Sequence, residues 1–305
     1  MSSNNGILSP PPLPTPVKTW HTSTYPTLSP SRPELSVSGK SILITGGGTG
    51  IGAATAQAFA QAGAARIAIL GRRLQPLLDT KASIEAQYPK VSVFTSSTDI
   101  TSKSAVDAAV EEFAAKSKID VLISNAAMIG PHEDAASADG AALIAAVQAN
   151  LSGALWVAQA FLRNAAPDAV AIDVSSTAAH ANFSPRFASY SVAKMAIGRL
   201  WDAMDMGAPD VRVFHIQPGV VDTDMNRAVG GVAASGLEDH VSLPSTFMVW
   251  LASDEARFLK GKFLWSNWDV DELKEQRKEL EGTSKLNLGL IGWPFGGADN
   301  FDWGM

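Results

Sequence analysis

Tyr190 and Lys194 stand four residues apart in the stretch "ASYSVAKMA". On a helix that spacing stacks the two side chains on one face, one turn apart. An ammonium beside a phenol favours the phenolate, so such a tyrosine can trade a proton with a substrate near neutral pH. A lone Y-x-x-x-K pair also occurs on ordinary surface helices. The pair carries chemistry only if other elements bring a reactant to it.

A second stretch suggests what that reactant is. "TGGGTGIG", Thr45 to Gly52, lies between the short run "SILIT" and the alanine-rich "AATAQAFAQAG". A glycine turn between a strand and a helix exposes backbone N–H groups at a helix N-terminus, where a dinucleotide pyrophosphate binds. Gly46 allows the tight turn, Gly50 lets the backbone approach the phosphates, and Gly52 lets the helix pack close to the sheet. Thr49 and Ile51 belong to the same phosphate-facing turn.

These groups need a scaffold, and the pattern supplies one. After "SILIT" come "RIAIL", "VSVFT", "IDVLIS", "AVAIDVS" and "VRVFHI" as short buried strands. Between them lie helical patterns, among them "LQPLLDTKASIEAQ", "KSAVDAAVEEFAAK" and the helix of Tyr190. Alternating strands and helices predict βαβ units with right-handed crossovers. The expected fold is therefore α/β, a doubly wound parallel sheet of Rossmann type in a single domain.

The expected boundaries are a Pro/Ser-rich tail over 1–37, a dinucleotide-binding catalytic domain over 38–265, and an extension over 266–305. "PPPLPTP" favours polyproline II, which makes the first segment a tail or an arm lying over another surface. "FLWSNWDVDELKEQRKELEG" predicts a further strand and a charged helix. The Gly- and aromatic-rich "LGLIGWPFGGADNFDWGM" is expected to dock on this or a neighbouring subunit, since its aromatics are costly to leave wet.

The G-x-x-x-G-x-G spacing together with Tyr190 and Lys194 resembles the short-chain dehydrogenase/reductase family, in its single-domain branch, from about Ser38 to Trp265. The resemblance implies a catalytic set of Asn150, Ser176, Tyr190 and Lys194. Ser176 takes the serine position in "DVSSTAAH", with Ser175 and Thr177 as neighbouring alternatives because the loop to Tyr190 is one residue longer than the commonest pattern. Asn150 stands in "QANLSG". By the same resemblance Tyr190 gives a proton to a growing alkoxide, Ser176 orients that oxygen, Lys194 holds the nicotinamide ribose, and Asn150 fixes a relay water.

Cofactor contacts follow similarly. Asp99 and Ile100 in "STDI" match the adenine contacts, and Asp99 is equally suited to cap the next helix. Asn125 in "SNAA" is kept where Ala127 replaces the usual glycine. Val221 and Thr223 in "QPGVVDTDM" match the carboxamide contacts. The second strand ends "AILGRR": Gly71 stands where an NAD-binding acid would be, and Arg72 and Arg73 suit a 2′-phosphate. NADP(H) is therefore expected over NAD(H).

A Gly/Ala-rich segment, Asp224 to Leu243, corresponds to the family's mobile substrate lid. With Met225, Phe183, Phe187 and Met195 nearby, the expected substrate is a hydrophobic ketone or secondary alcohol. His180 either meets that substrate or caps its loop. The rival readings are a non-redox cyclase or isomerase in a biosynthetic pathway, or a dinucleotide-sensing scaffold. The complete catalytic set favours the enzyme.

Composition narrows the partners. A net charge of −6 with a pI near 5.4 argues against nucleic acid. There is no cysteine, and the five histidines show no ligand spacing, so no metal site is expected. The missing cysteines and the absence of a secretory leader lead to an expected cytoplasmic location. The uncharged segment Ala141–Leu162 is long enough to span a bilayer, but Gln148, Asn150, Ser152 and Gln159 interrupt it. It reads as a helix buried on most faces, in the core or at a subunit contact, with no membrane span; the family resemblance implies that such a contact would build a homodimer or homotetramer.

Overall fold

Each β-branched run named above becomes a strand. β1 (Ser41–Thr45), β2 (Arg66–Gly71), β3 (Ser92–Ser97), β4 (Ile119–Ser124), β5 (Ala165–Val174), β6 (Arg212–Gln217) and β7 (Phe263–Trp265) form one sheet. The computed structural model describes residues 6–182 and 184–290. Its strand order is β3-β2-β1-β4-β5-β6-β7, and every pairing is parallel. The chain reverses direction across the sheet between β1 and β4, and ligands of such sheets bind outside the carboxyl ends of the strands at that point.

Period-two alternation divides the core. Ile42 and Ile44 of β1 join Phe59 of α1 (Gly50–Gln61), Leu77 of α2 (Leu74–Gln87) and Trp250 of α8 (Ser242–Leu251) on one face. Leu43 points the other way. It meets Val110 of α3 (Lys103–Ala114), Phe161 of α4 (Gly140–Asn164) and Trp201 of α5 (Ala188–Gly207). Local chemistry starts these helices. Asp139 accepts from the Ala141 and Ala142 N–H groups at the head of α4, and Ser102 caps α3 through Ala105 N–H. Asp99 is thus not the cap of α3.

Residues 6–37 are an arm laid over this same chain. Val17, Trp20, Leu28, Leu35 and Val37 are buried in the α1/α8 face of the core. Ile7–Leu8 and Trp20–His21 pair as a short antiparallel ribbon. Arg32 reaches Glu255 at 2.6 Å, and Glu272 accepts from the Lys18 and Thr19 N–H groups. The prolines preset an extended backbone, and the apolar residues between them find a fitted seat.

α4 is the one described helix long and apolar enough to cross a bilayer. Its face of Ala146, Asn150, Gly153, Ala154, Val157 and Phe161 is buried, whereas Ile144 is 62% exposed. The expectation of burial on most faces is corrected to burial on one. After β7 the predicted single charged helix is two short ones, α9 (Val270–Glu275) and α10 (Arg277–Leu280). Of the Gly- and aromatic-rich segment, Leu288 packs against the core near Gly198, and residues 291–305 lie outside the described residues.

Candidate active site

One cleft of about 1390 Å³ opens at the carboxyl ends of the strands. Gly46, Thr49, Gly50, Ile51, Arg72, Arg73, Asp99, Ile100, Asn125, Asn150, Ser176, Tyr190, Lys194, Val221 and Thr223 all line it. Gly52 does not. A Cβ there would meet the Gly46 carbonyl oxygen at 2.2 Å, so Gly52 supports the turn from beneath and takes no part in the cleft wall.

The turn itself is a cradle. Gly46 and Gly50 have φ of +69° and +54°, the left-handed region that side chains disfavour. Thr49 precedes α1 in extended conformation and its side chain makes no cap to its own helix, which leaves the hydroxyl and the first N–H groups for an anion. Two glycines not singled out from the sequence also matter. Gly47 abuts Ile69 at 2.6 Å and Gly48 abuts Pro76 and Leu77 at 3.2 Å, measured to an added Cβ.

Asn125 ties the two central strands together. Its Nδ2 donates to the Thr45 carbonyl at 2.9 Å, while Thr45 Oγ1 accepts from the Asn125 and Ala126 N–H groups at 3.0 Å. Asp99 accepts from the Thr101 N–H and hydroxyl, and those bonds, with Arg72 nearby, hold its carboxyl below the usual range. Ile100 lies against Gly153 of α4, where an added Cβ would meet its side chain at 2.6 Å. Arg72 is exposed at the end of β2, and Arg73 pairs at 3.7 Å with Asp224.

Opposite the turn, Thr223 stands 3.1 Å from the position of a Gly50 Cβ and caps α6 (Asp224–Arg227) through Asn226 N–H. Val221 accepts from Asn226 Nδ2 at 3.0 Å. This loop is held by a residue the sequence did not point to: Asp239 accepts from Val220 N–H at 2.7 Å and from Asn267 Nδ2 at 2.8 Å. Burial pushes the Asp239 carboxyl up to about 6.

At the far end, α5 carries Tyr190 and Lys194 on one face. The Lys194 ammonium is 5.6 Å from the centre of the Tyr190 ring and donates to the Val174 carbonyl at 2.6 Å. Ser176 Oγ accepts from Ala178 N–H at 3.2 Å and caps the turn Thr177–Ala179, so its own proton is free to donate into the cleft. Ser175 is 2% exposed and its hydroxyl has no partner among the described residues. Thr177 uses its N–H on Gln217. Asn150 Oδ1 accepts from Met128 N–H, and its Nδ2 donates to the Met128 and Ala146 carbonyls, which fastens the loop after β4 to α4.

The remaining walls mix polar groups, among them His132, Arg186 and Asp222, with apolar and aromatic ones. Met225 and Phe187 are there as expected, joined by Met128, Ile129, Leu237 and Trp265. Met195 is not: it is 52% exposed on the outer side of α5. Phe183 lies outside the described residues. The segment expected as a lid is two short helices, α6 and α7 (Gly231–Ser235); Gly230 and Gly236 flank α7 and Gly231 opens it, all three at positive φ. Among the described residues no group of His, Asp and Glu could hold a metal ion.

The short chain dehydrogenase family profile matches residues 40–231. AacuD, a short chain dehydrogenase/reductase of Aspergillus aculeatus, is 35% identical over 280 residues, covering 90% of this chain and 96% of that protein. A short chain dehydrogenase/reductase of Claviceps purpurea is 33% identical, covering 92% and 95%. Among solved structures, a gluconate 5-dehydrogenase from Burkholderia cenocepacia in complex with NADP and tartrate superposes with a TM-score of 0.68 at 26% identity, over 79% of this chain and 96% of that one.

Proposed function

The chain belongs to the short-chain dehydrogenase/reductase family, and from that premise we propose that it interconverts a hydrophobic ketone and a secondary alcohol with NADP(H) as cofactor and Tyr190 as acid and base. The observation that carries this reading is the sharing of one cleft by the glycine turn at one end and Ser176, Tyr190 and Lys194 at the other. The cradle fits a dinucleotide: the Leu70 carbonyl accepts from the Gly46 and Gly47 N–H groups and fixes the turn, while the first N–H groups of α1 and the Thr49 hydroxyl stay uncommitted. Gly46–Ile51 would hold the pyrophosphate, Asp99 and Ile100 the adenine, Arg72 and Arg73 a 2′-phosphate, and Val221 and Thr223 the carboxamide. A bound dinucleotide supplies or accepts the hydride.

The protein's own residues handle the oxygen and its proton. Tyr190 donates its hydroxyl proton to the substrate oxygen as negative charge grows there, and takes it back in the oxidative direction. Positioned proton transfer of this kind is worth about 10²–10⁴ in rate. Ser176 donates to the same oxygen with the proton that Ala178 leaves free. Lys194 is fixed by Val174 and stabilises the phenolate, with its other two N–H groups left for a sugar hydroxyl. Both Nδ2 protons of Asn150 are committed, so it holds a relay water through the second lone pair of Oδ1.

The outer faces of α4 and α5, with Ile144, Val192 and Met195 more than half exposed, form the contact of a homodimer or homotetramer in this reading. Its compartment is the cytoplasm. Loss of NADPH absorbance with a panel of apolar ketones tests the reaction. Turnover of at least one ketone with a matching alcohol product is expected, and NADPH left unconsumed across the panel contradicts it.

A further inference from the structure

His180 lines the cleft with Ser176 and Tyr190, one tight turn after Ser176, and no task has yet been given to it. Its Nε2 lies 3.2 Å from Trp265 Nε1. An indole nitrogen can only donate, so Nε2 is the acceptor and the neutral ring carries its proton on Nδ1. Burial holds the imidazole below the ordinary histidine range, which keeps it neutral at neutral pH. Phe263 and Trp265 meet the ring edge-on at 4.7 and 5.6 Å and fix its plane. Among the described residues nothing accepts from Nδ1.

Trp265 is seated from behind by the N-terminal arm. The Trp20 ring meets it edge-on at 5.7 Å, and Trp268, which bridges to Trp20, stacks on it at 6.3 Å. The same arm brings Leu13 and Pro14 to the cleft wall. Thus the residue that assigns the His180 tautomer is itself placed by the arm.

We propose that His180 is a substrate-binding hydrogen-bond donor, presenting Nδ1–H to a second oxygen of the substrate, with Trp265 on its seat of Trp20 as the positioning residue. The substrate class narrows accordingly. It is a ketone or alcohol whose apolar frame carries a further carbonyl, ether or hydroxyl oxygen away from the reacting carbon. A hydrocarbon frame that fills the same space displaces water from Nδ1–H and leaves it unpaired. The inference rests on the oxidoreductase reading and deepens it.

The test compares 4-phenylcyclohexanone with its ortho-, meta- and para-hydroxyphenyl counterparts in the NADPH assay, with melting temperature as the folding control. The wild-type enzyme is expected to show a KM about tenfold lower for at least one hydroxylated ketone. His180→Phe removes that preference while the KM for NADPH stays unchanged. His180→Asn restores most of it, since its Nδ2 occupies the place of Nδ1. Trp265→Phe keeps the ring on Trp20, loses the N–H, and weakens the preference. An equal preference in wild type and His180→Phe overturns the donor assignment. So does a uniform fall in kcat for all ketones, which marks a structural role. Turnover of none of the four by the wild type instead overturns the ketone reading beneath it.

Discussion

Gly52 lies so close beneath the Gly46 carbonyl that a Cβ on it would approach the oxygen to 2.2 Å and Asn125 Nδ2 to 2.8 Å. The first turn of α1, the glycine turn and the link between β1 and β4 are therefore packed as one unit. Gly52→Ala must push them apart. We expect a loss of about 1–3 kcal/mol of stability from overpacking, with dinucleotide affinity reduced at least roughly tenfold, 1.4 kcal/mol in binding. Thermal melts with and without NADPH measure both. Gly48→Ala, whose nearest neighbours are 3.2 Å away and whose φ is not positive, is the milder control.

If NADP(H) is the cofactor as proposed, Arg72 should matter more to that choice than Arg73. Arg72 is exposed at the end of β2 beside Asp99, whereas Arg73 is engaged with Asp224. A charged hydrogen bond contributes about 1.5–3 kcal/mol, or roughly 10–100-fold. Arg72→Ala should raise the KM for NADPH by that factor and leave the KM for NADH within about threefold. Kinetics with both cofactors decide it. A wild-type preference for NADH, or unchanged NADPH kinetics in the variant, would show that the arginines serve another purpose.

Beneath the site, His215 is 1% exposed and lies 3.2 Å from both Asp173 and Asp202. Burial is the largest single effect and lowers its basicity, but the hydrogen bonds and charges of the two carboxylates together outweigh it and push the imidazole up to about 9. The folded state thus holds a proton that the unfolded chain releases near pH 6.5. The resulting stabilisation is full below pH 6.5 and is lost as pH rises through 9, by up to roughly 3 kcal/mol. His215→Gln is expected to be less stable throughout, because it leaves the buried Asp173 carboxylate without its cation while Asp202 keeps Arg199, and to show a flatter stability curve between those pH values. Urea melts across pH 6–9.5 measure the slope; equal slopes would remove the buried imidazolium.

Val192 and Met195 on α5 are 53% and 52% exposed, and Ile144 on α4 is 62% exposed. An apolar face of this kind on two packed helices suits a self-complementary contact. Paired substitution Val192→Glu with Met195→Glu should shift light-scattering mass from an oligomer to a monomer while circular dichroism stays the same. A wild-type protein that is monomeric at every concentration contradicts the assignment.

What the sequence revealed was what repeats locally. Strand runs, the glycine turn and the Tyr190/Lys194 spacing are set by neighbours within a few positions. Asn150 stood out as an amide in an apolar helix. Helical geometry also explains the error over Met195: five residues beyond Tyr190 is about 140° round the helix, whereas Lys194 is only about 40° away. The Trp20–Trp265–His180 series, the Asp239 hold on Val220, and the Asp173–His215–Asp202 cluster join residues far apart in the chain. No spacing rule reports such contacts. The first segment read as a tail or an arm over another surface, but its seat was not legible, since its prolines and serines mask the apolar residues that dock it on this same chain.

The central claim is that Tyr190 passes the proton. Its most direct test is Tyr190→Phe, measured for NADPH binding by fluorescence and for turnover of the best ketone by absorbance. We predict unchanged NADPH affinity, an unchanged melting temperature, and turnover reduced by about 10²–10⁴. Turnover within a few-fold of wild type in that variant would contradict the account.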